Sequence, residues 1–324
     1  MPTRAAANRP RSCLAAFLEE LRGRRCSSSL ERQASWSLTW LFSHLREEGV
    51  RDLREAREEH LVSFARVLRE STTPRGTPLS ATTQSLYLQR VRSFFAFLVR
   101  RSLLLASPAA DLTLPASSPL PRTVLSERQA EKLMSAPPAW TKTGKRDRAI
   151  LETFYGTGIR RGECARLDVG DIDLRERTLL VRNGKGRKDR LVPLPARAAL
   201  ALDAYLRDAR PLLLKRPGEQ ALFLTAWWGK RLSEVSLNFL LRRHARAAGI
   251  PAVHPHALRH TCATHLLRGG ADIRHVQEIL GHRHVRTTAV YTRVQIEDLR
   301  EVLRCCHPRE KTSKRRSCRR QVKK

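Results

Sequence analysis

The chain has 324 residues, with 62 Lys+Arg against 31 Asp+Glu, a formal net charge of +31. At about 100–200 residues per domain that length predicts two domains with a buried core in each, and an apolar fraction of 41% excludes global disorder. No apolar run approaches the ~20 residues that span a bilayer, and the apolar piece Cys13–Leu18 is shorter than the ~7–15-residue core of a secretory signal. An excess of this size calls for a polyanion, and nucleic acid is the default one. The counterweight is compositional: 51 of the cations are Arg and 11 are Lys, as an arginine-biased genome would also produce. Seven cysteines, an odd number without a C-x-x-C pair, fit a reducing, cytoplasmic setting better than a disulfide framework. Cys305, Cys306, His307 and Cys318 match no familiar zinc spacing and sit among cations.

Residues 1–11 read as an unstructured start and 12–107 as a helical domain. Tyr87, Val91, Phe94, Phe95 and Leu98 recur at helical spacing, with Arg90, Arg92, Arg100 and Arg101 outside the stripe. The stripe reads as core, and the arginines as either a DNA-facing surface or an ordinary solvated face. Residues 108–124, with Pro108, Pro115, Pro119 and Pro121, read as a linker. A second domain, 125–304, opens on a helix capped by Ser126 and stapled by Leu125. A helix through Ala149–Phe154 is stopped by Gly156 and Gly158. Thr178–Val181 and Arg190–Val192 flank Asn183-Gly184-Lys185-Gly186, a hairpin with a glycine-rich tip. Ser233–Ala248 reads as a capped helix closed by Gly249, His256–Arg268 as a helix ended by Gly269-Gly270, and Asp272 as the cap of a helix closed by Gly281. Residues 305–324 read as a basic tail, a like-charge block that predicts disorder. The fold class expected is mainly α with a small antiparallel β-sheet.

Four phrases follow one another in the second domain: TGIRRGE from Thr157, NGKGRKDRLVPL from Asn183, HPHALRHTCATHLLRGGAD from His254 and LGHRHVRTTAVYTRV from Leu280. In this order they resemble the tyrosine recombinases, the phage-integrase and Xer family, and the smaller Xer-like members most. The resemblance covers the whole second domain, and the helical first domain looks like the core-binding domain of that family. By resemblance, Arg160, Lys185, His256, Arg259 and His282 assist catalysis and Tyr291 is the nucleophile.

The residue types suit that chemistry. Cleaving a phosphodiester with a protein nucleophile needs an oxygen nucleophile, positive charge on the non-bridging oxygens and a proton for the departing sugar oxygen. The Tyr291 phenol can form a 3′-phosphate ester that keeps the bond energy for rejoining. Arg160 and Arg259 offer planar forks that bind phosphate bidentately. The Lys185 ammonium can release a proton where a guanidinium cannot, with Lys188 as its nearest rival. His256 and Arg259, three apart, share a helix face, and His282 directly follows a helix-ending glycine. Glu163 and Asp168 read as groups that orient Arg160. Singly, each residue has a plainer reading: an arginine at a helix end, a lysine in a polar turn, a half-buried tyrosine, or His254, His256, His260 and His265 as a zinc cluster that Arg259 would repel. Their joint order carries the functional one.

No acidic cluster with two-metal spacing and no G-x-x-x-x-G-K-[ST] phrase occurs, so the reaction is expected to need no cofactor, neither metal nor nucleoside triphosphate. The resemblance implies a two-domain, C-shaped clamp on double-stranded DNA that cuts and rejoins specific sites. It also implies a tetrameric self-assembly on two DNA sites, a Holliday junction, and no membrane partner, with a partner recombinase left open. Glu297–Leu303 is the expected docking element for a neighbouring protomer. The competing readings are a monomeric type IB topoisomerase and a catalytically silent DNA-binding regulator.

Overall fold

The computed structural model describes residues 10–24, 26, 28–74, 76–116, 124–182, 189–250, 253–281 and 293–310. The chain divides into two compact units, Met1–Leu120 and Pro121–Lys324.

The first unit is built on four helices: α1 (Pro10–Gly23), α2 (Ser28–Glu47), α3 (Glu58–Glu70) and α4 (Ala81–Arg100). Ser80 caps α4 by accepting from the Thr83 amide at 3.2 Å. The stripe on α4 faces inward: Val91, Phe94, Phe95 and Leu98 are buried, Tyr87 is partly so, and Phe17 of α1 packs edge-on against Phe94 with centroids 5.5 Å apart. Arg92, Arg100 and Arg101 remain exposed. The expected linker begins later than its prolines suggest, because Ala109 and Leu112 are buried in this same core. Residues 117–123 lie outside the described residues.

The second unit opens with α5 (Glu127–Ser135), capped by Ser126 as expected, and α6 (Lys142–Thr157). From Ala149 to Thr157 every residue of α6 is buried, with Glu152 paired to Arg309 and the Thr153 and Thr157 hydroxyls donating to carbonyls four residues back. Gly156 lies inside this helix rather than ending it; the left-handed residue Gly158 (φ +60°) is the terminator. After α7 (Arg161–Arg166) come three short antiparallel strands, β1 (Ile172–Asp173), β2 (Thr178–Val181) and β3 (Arg190–Pro193), in the order β1-β2-β3. The register pairs Leu179 with Val192 and Val181 with Arg190, the hairpin expected from the sequence. Then follow α8 (Ala196–Ala204), a π-helical turn (Tyr205–Ala209), α9 (Arg210–Leu213), α10 (Glu234–Ala247), α11 (Pro255–Arg268), α12 (Ile273–Leu280) and α13 (Arg293–Cys306). No helix among the described residues is long and apolar enough to cross a membrane.

The C-terminal segment departs from expectation. Ordered chain continues past residue 304: α13 runs to Cys306, and His307 and Arg309 are buried. Arg309 meets Glu152 of α6 and Glu131 of α5, and Glu310 accepts from Arg177 at 2.8 Å and from the Ala196 amide at 2.5 Å. A charge-rich segment orders here because each charge finds a partner inside the fold. Leu299, Val302 and Leu303, the apolar side of the expected docking element, belong to the core of their own unit. Residues 311–324 lie outside the described residues.

Candidate active site

The site is built where three helix ends meet. Gly158 ends α6 and its carbonyl accepts from Arg259 of α11; a Cβ there would lie 2.4 Å from Leu280 Cδ2, so the Leu280 side chain packs directly on this glycine. Two residues on, Arg160 occupies the N-cap of α7 in extended backbone (φ −74°, ψ 152°). Its amide donates to Glu163 Oε2 at 2.8 Å, Nη1 donates to Glu163 Oε1 at 2.8 Å, and Nη2 donates to the Gly281 carbonyl at 2.9 Å. One carboxylate thus fixes both the backbone and the side chain of Arg160.

Arg259 comes from α11, whose first turn is set by Pro255 and by His254 Nδ1 accepting from the Ala257 amide at 3.2 Å. Arg259 is 8% exposed. It donates from Nη1 to the Gly158 carbonyl at 2.6 Å and from Nη2 to the Leu280 carbonyl at 2.7 Å. Arg160 and Arg259 therefore reach consecutive carbonyls, Gly281 and Leu280, at the C-terminus of α12. The unpaired carbonyls and negative dipole end of a helix favour cations there.

A third guanidinium stands behind these two. Arg190 of β3 donates from Nη1 to Glu163 Oε1 at 3.1 Å and from Nη2 to Glu163 Oε2 at 2.8 Å. Burial pushes the Glu163 carboxyl up, but the hydrogen bonds and charges of Arg190 and Arg160 prevail and hold it at about 2. Burial, and then the like charge of Arg160, pull Arg259 down to about 10, so it stays charged at neutral pH. Three guanidiniums face one carboxylate, leaving a net 3 − 1 = +2 for an anion.

His256 stands at the surface three residues before Arg259 on the same helix. Its pKa lies below the usual histidine value through partial desolvation, then through the charges of His254, Arg259, Arg161 and Arg160. A neutral imidazole beside this cluster of guanidiniums can accept or pass a proton.

Of the six expected site residues, Arg160 and Arg259 converge, and His256 lies one helical turn from Arg259. Lys185, His282 and Tyr291 lie outside the described residues, as does Lys188. In the chain, Lys185 falls between β2 and β3, His282 follows Gly281, and Tyr291 precedes α13 by two positions. Asp168 does not serve Arg160 as expected: it pairs with Arg231. Neither do the histidines form a cluster, since His254 caps α11 while His265 is buried with Nδ1 2.7 Å from the Tyr155 hydroxyl. Among the described residues no group of three or more His, Cys, Asp or Glu side chains could hold a metal ion. From the sequence alone Arg190 is only a strand residue. The available signal was an arginine sharing a strand face with Val192, both inward.

Residues 123–298 match the model of the Phage integrase family. Over 264 residues the chain is 39% identical to tyrosine recombinase XerC 2 of Ralstonia nicotianae, covering 81% of this chain and 76% of the relative. Over 273 residues it is 42% identical to tyrosine recombinase XerD of Mycobacterium tuberculosis, covering 82% and 87%. Among solved structures, XerH site-specific recombinase bound to its difH substrate superimposes with a TM-score of 0.61 at 25% identity, covering 82% of this chain and 78% of that one. A lambda integrase tetramer bound to a Holliday junction shares the fold, with a TM-score of 0.65 at 16% identity over 87% and 80%. With the motifs in their order, two arginines meeting at the end of α12, and relatives of this closeness along most of its length, the chain belongs to the phage integrase family of tyrosine recombinases, enzymes that cut and rejoin DNA at specific sites.

Proposed function

We propose that this chain breaks one DNA strand at a time through a 3′-phosphotyrosyl ester on Tyr291, with Arg160 and Arg259 on the scissile phosphate. The observation that carries this reading is their convergence on the Gly281 and Leu280 carbonyls beside His256. Each fork is held by backbone or carboxylate partners before any phosphate arrives, and such prepaid orientation is what stabilises developing charge. His256 and His282 supply donors to the same oxygens, and Lys185 protonates the departing 5′-oxygen. No metal or nucleotide enters these steps.

The first unit, with Arg92, Arg100 and Arg101 exposed, serves as the core-binding domain, and the two units clamp double-stranded DNA. Four protomers acting on two duplexes pass through a Holliday junction, by analogy with the junction-bound tetramer of lambda integrase. The XerC and XerD relatives make a partner recombinase a reasonable addition to the assembly. The topoisomerase and silent-regulator readings have no comparable support.

The test is covalent trapping on a nicked duplex carrying the DNA that the purified chain footprints beside its own gene. A protein–DNA adduct should form, and its linked peptide should contain Tyr291. Linkage at another residue, or no adduct, would overturn the reading. In the same assay Lys185→Ala should slow cleavage by about 10²-fold and recover on a substrate with a 5′-bridging sulfur, a leaving group that departs unprotonated. Absence of recovery would point to Lys188 or another acid.

A further inference from the structure

We infer that Arg190 is a positioning residue for strand cleavage: from β3 it holds Glu163 and Gly281, and through them it fixes the guanidinium of Arg160. The inference rests on the cleavage reading above and adds to it a residue outside the six that the motifs pick out.

Arg190 is 6% exposed. Both of its Nη atoms go to Glu163, one to each carboxylate oxygen, in a bidentate fork that sets angle as well as distance. Glu163 in turn accepts from the amide and Nη1 of Arg160. The contact with Gly281 is steric. A Cβ on Gly281 would lie 2.8 Å from Arg190 Nε and 2.9 Å from Cζ, so the guanidinium sits directly against the α-carbon of the residue whose carbonyl receives Arg160 Nη2. With its outer end locked on Glu163, Arg190 cannot swing away to admit a side chain, and Gly281 is left-handed besides (φ +69°). Arg190 thus touches both anchors of Arg160.

A simple core residue would be cheaper. Arg190 Nε is buried with no hydrogen-bond partner among the described residues, a loss that a leucine on the same strand face would not incur. The fork nevertheless buries a charge beside Arg259 and Arg160, which raises the electrostatic cost further. Such an arrangement makes sense if the site needs Glu163 ionised and immobile. The charged groups facing Glu163 are Arg160 from α7, Arg190 from β3 and Arg259 from α11, with the Cys164 thiol beside it in the chain.

The test compares Arg190→Leu, Arg190→Lys and Arg190→Leu/Glu163→Gln by trapping on the footprinted duplex, with DNA affinity measured separately. Arg190→Leu should bind as the wild type does and cleave about 10²-fold more slowly, the scale of a misplaced reacting group. Without the fork, burial, the largest influence on Glu163, is opposed only by Arg160 and the pKa rises, so cleavage by Arg190→Leu should fall further between about pH 7 and about pH 5, where a raised carboxyl titrates. Any limb that His256 contributes is shared by all the variants; beyond it the wild type should show no further fall, the double variant should be slow without the added fall, and Arg190→Lys should restore part of the rate. Wild-type-like cleavage by Arg190→Leu, or a slow variant with an unchanged pH profile, would overturn the inference. Failure of the wild type to form an adduct would instead overturn the cleavage reading. Carboxyl ¹³C NMR of Glu163 tests the geometry with no DNA present. Titration well below the usual glutamate range in the wild type and above it in Arg190→Leu is expected, and the same titration in both would overturn the assignment.

Discussion

Arg259→Ala is expected to leave affinity for the footprinted duplex nearly unchanged and to slow formation of the covalent adduct by about 10²–10³-fold, the cost of removing one donor to developing negative charge in a preorganised site. The size follows from how Arg259 is held. Two of its donors are committed to the Gly158 and Leu280 carbonyls at 2.6 and 2.7 Å, so the plane of the fork is fixed and its remaining donors are aimed. The group keeps its charge, since its pKa, even drawn down to about 10 by burial and by Arg160, lies above any physiological pH. Truncation also strands two buried carbonyls, which costs about 1–3 kcal/mol of stability for each left unsatisfied. Melting must therefore be measured beside cleavage. Arg259→Lys separates the two roles: a point charge on a flexible stem preserves positive potential but cannot bridge both carbonyls and a phosphate. It should restore stability more than rate. A lysine variant with wild-type cleavage would mean that charge alone matters and that the fork is incidental.

The parts of this fold that the sequence made legible are those decided within a few residues. Ser126, Ser233 and Asp272 each accept from an amide two or three residues on, and each opens a helix, whereas the cap at His254 lies two residues before the expected start at His256. The pairing of β2 with β3 was readable because short β-branched or aliphatic runs on either side of a glycine-rich turn are local signals. The two-residue strand β1 carries too few residues to show any period. What escaped was set by distant partners. Ala109 and Leu112 sit among prolines and look like linker, yet the core of the first unit receives them. Arg190 looked like one cation among 62, and only Glu163, 27 residues earlier in the chain, gives it a purpose. The candidate site was legible in the same uneven way. Arg160, His256 and Arg259 were found from motif order, whereas the α12 carbonyls that orient the arginines belong to backbone, which no side-chain pattern marks. Asp168 was misassigned because nearness in sequence to Arg160 is not nearness in the fold; α7 turns it toward Arg231 instead.

The same reasoning applied to the C-terminus gives the largest expected effect on stability. Arg309 is 2% exposed and grips Glu152, 1% exposed on α6, with Nε donating to Oε2 at 2.9 Å and Nη2 to Oε1. Its third contact, Glu131, is half-exposed and adds little against solvent screening. Arg309→Ala would leave the Glu152 carboxylate in the middle of the most buried helix with no cation, and breaking a buried pair from one side costs about 3–5 kcal/mol. That is a large share of the ~5–15 kcal/mol that separates most folded domains from unfolding. The urea midpoint of the second unit should drop accordingly. The double variant Arg309→Met/Glu152→Leu tests the cause, because replacing both charges by apolar groups removes the stranded carboxylate and should recover most of the loss. If the double variant is as unstable as Arg309→Ala, the loss comes from packing around His307 and Cys306 and not from the unpaired charge. The pair also bears on cleavage. Arg309 fastens the chain three residues beyond α13, and α13 begins two residues after Tyr291, the proposed nucleophile. Adduct formation by Arg309→Ala should be reduced at temperatures where the unit is still folded, and the double variant, which removes the same tether, should share that reduction while regaining stability.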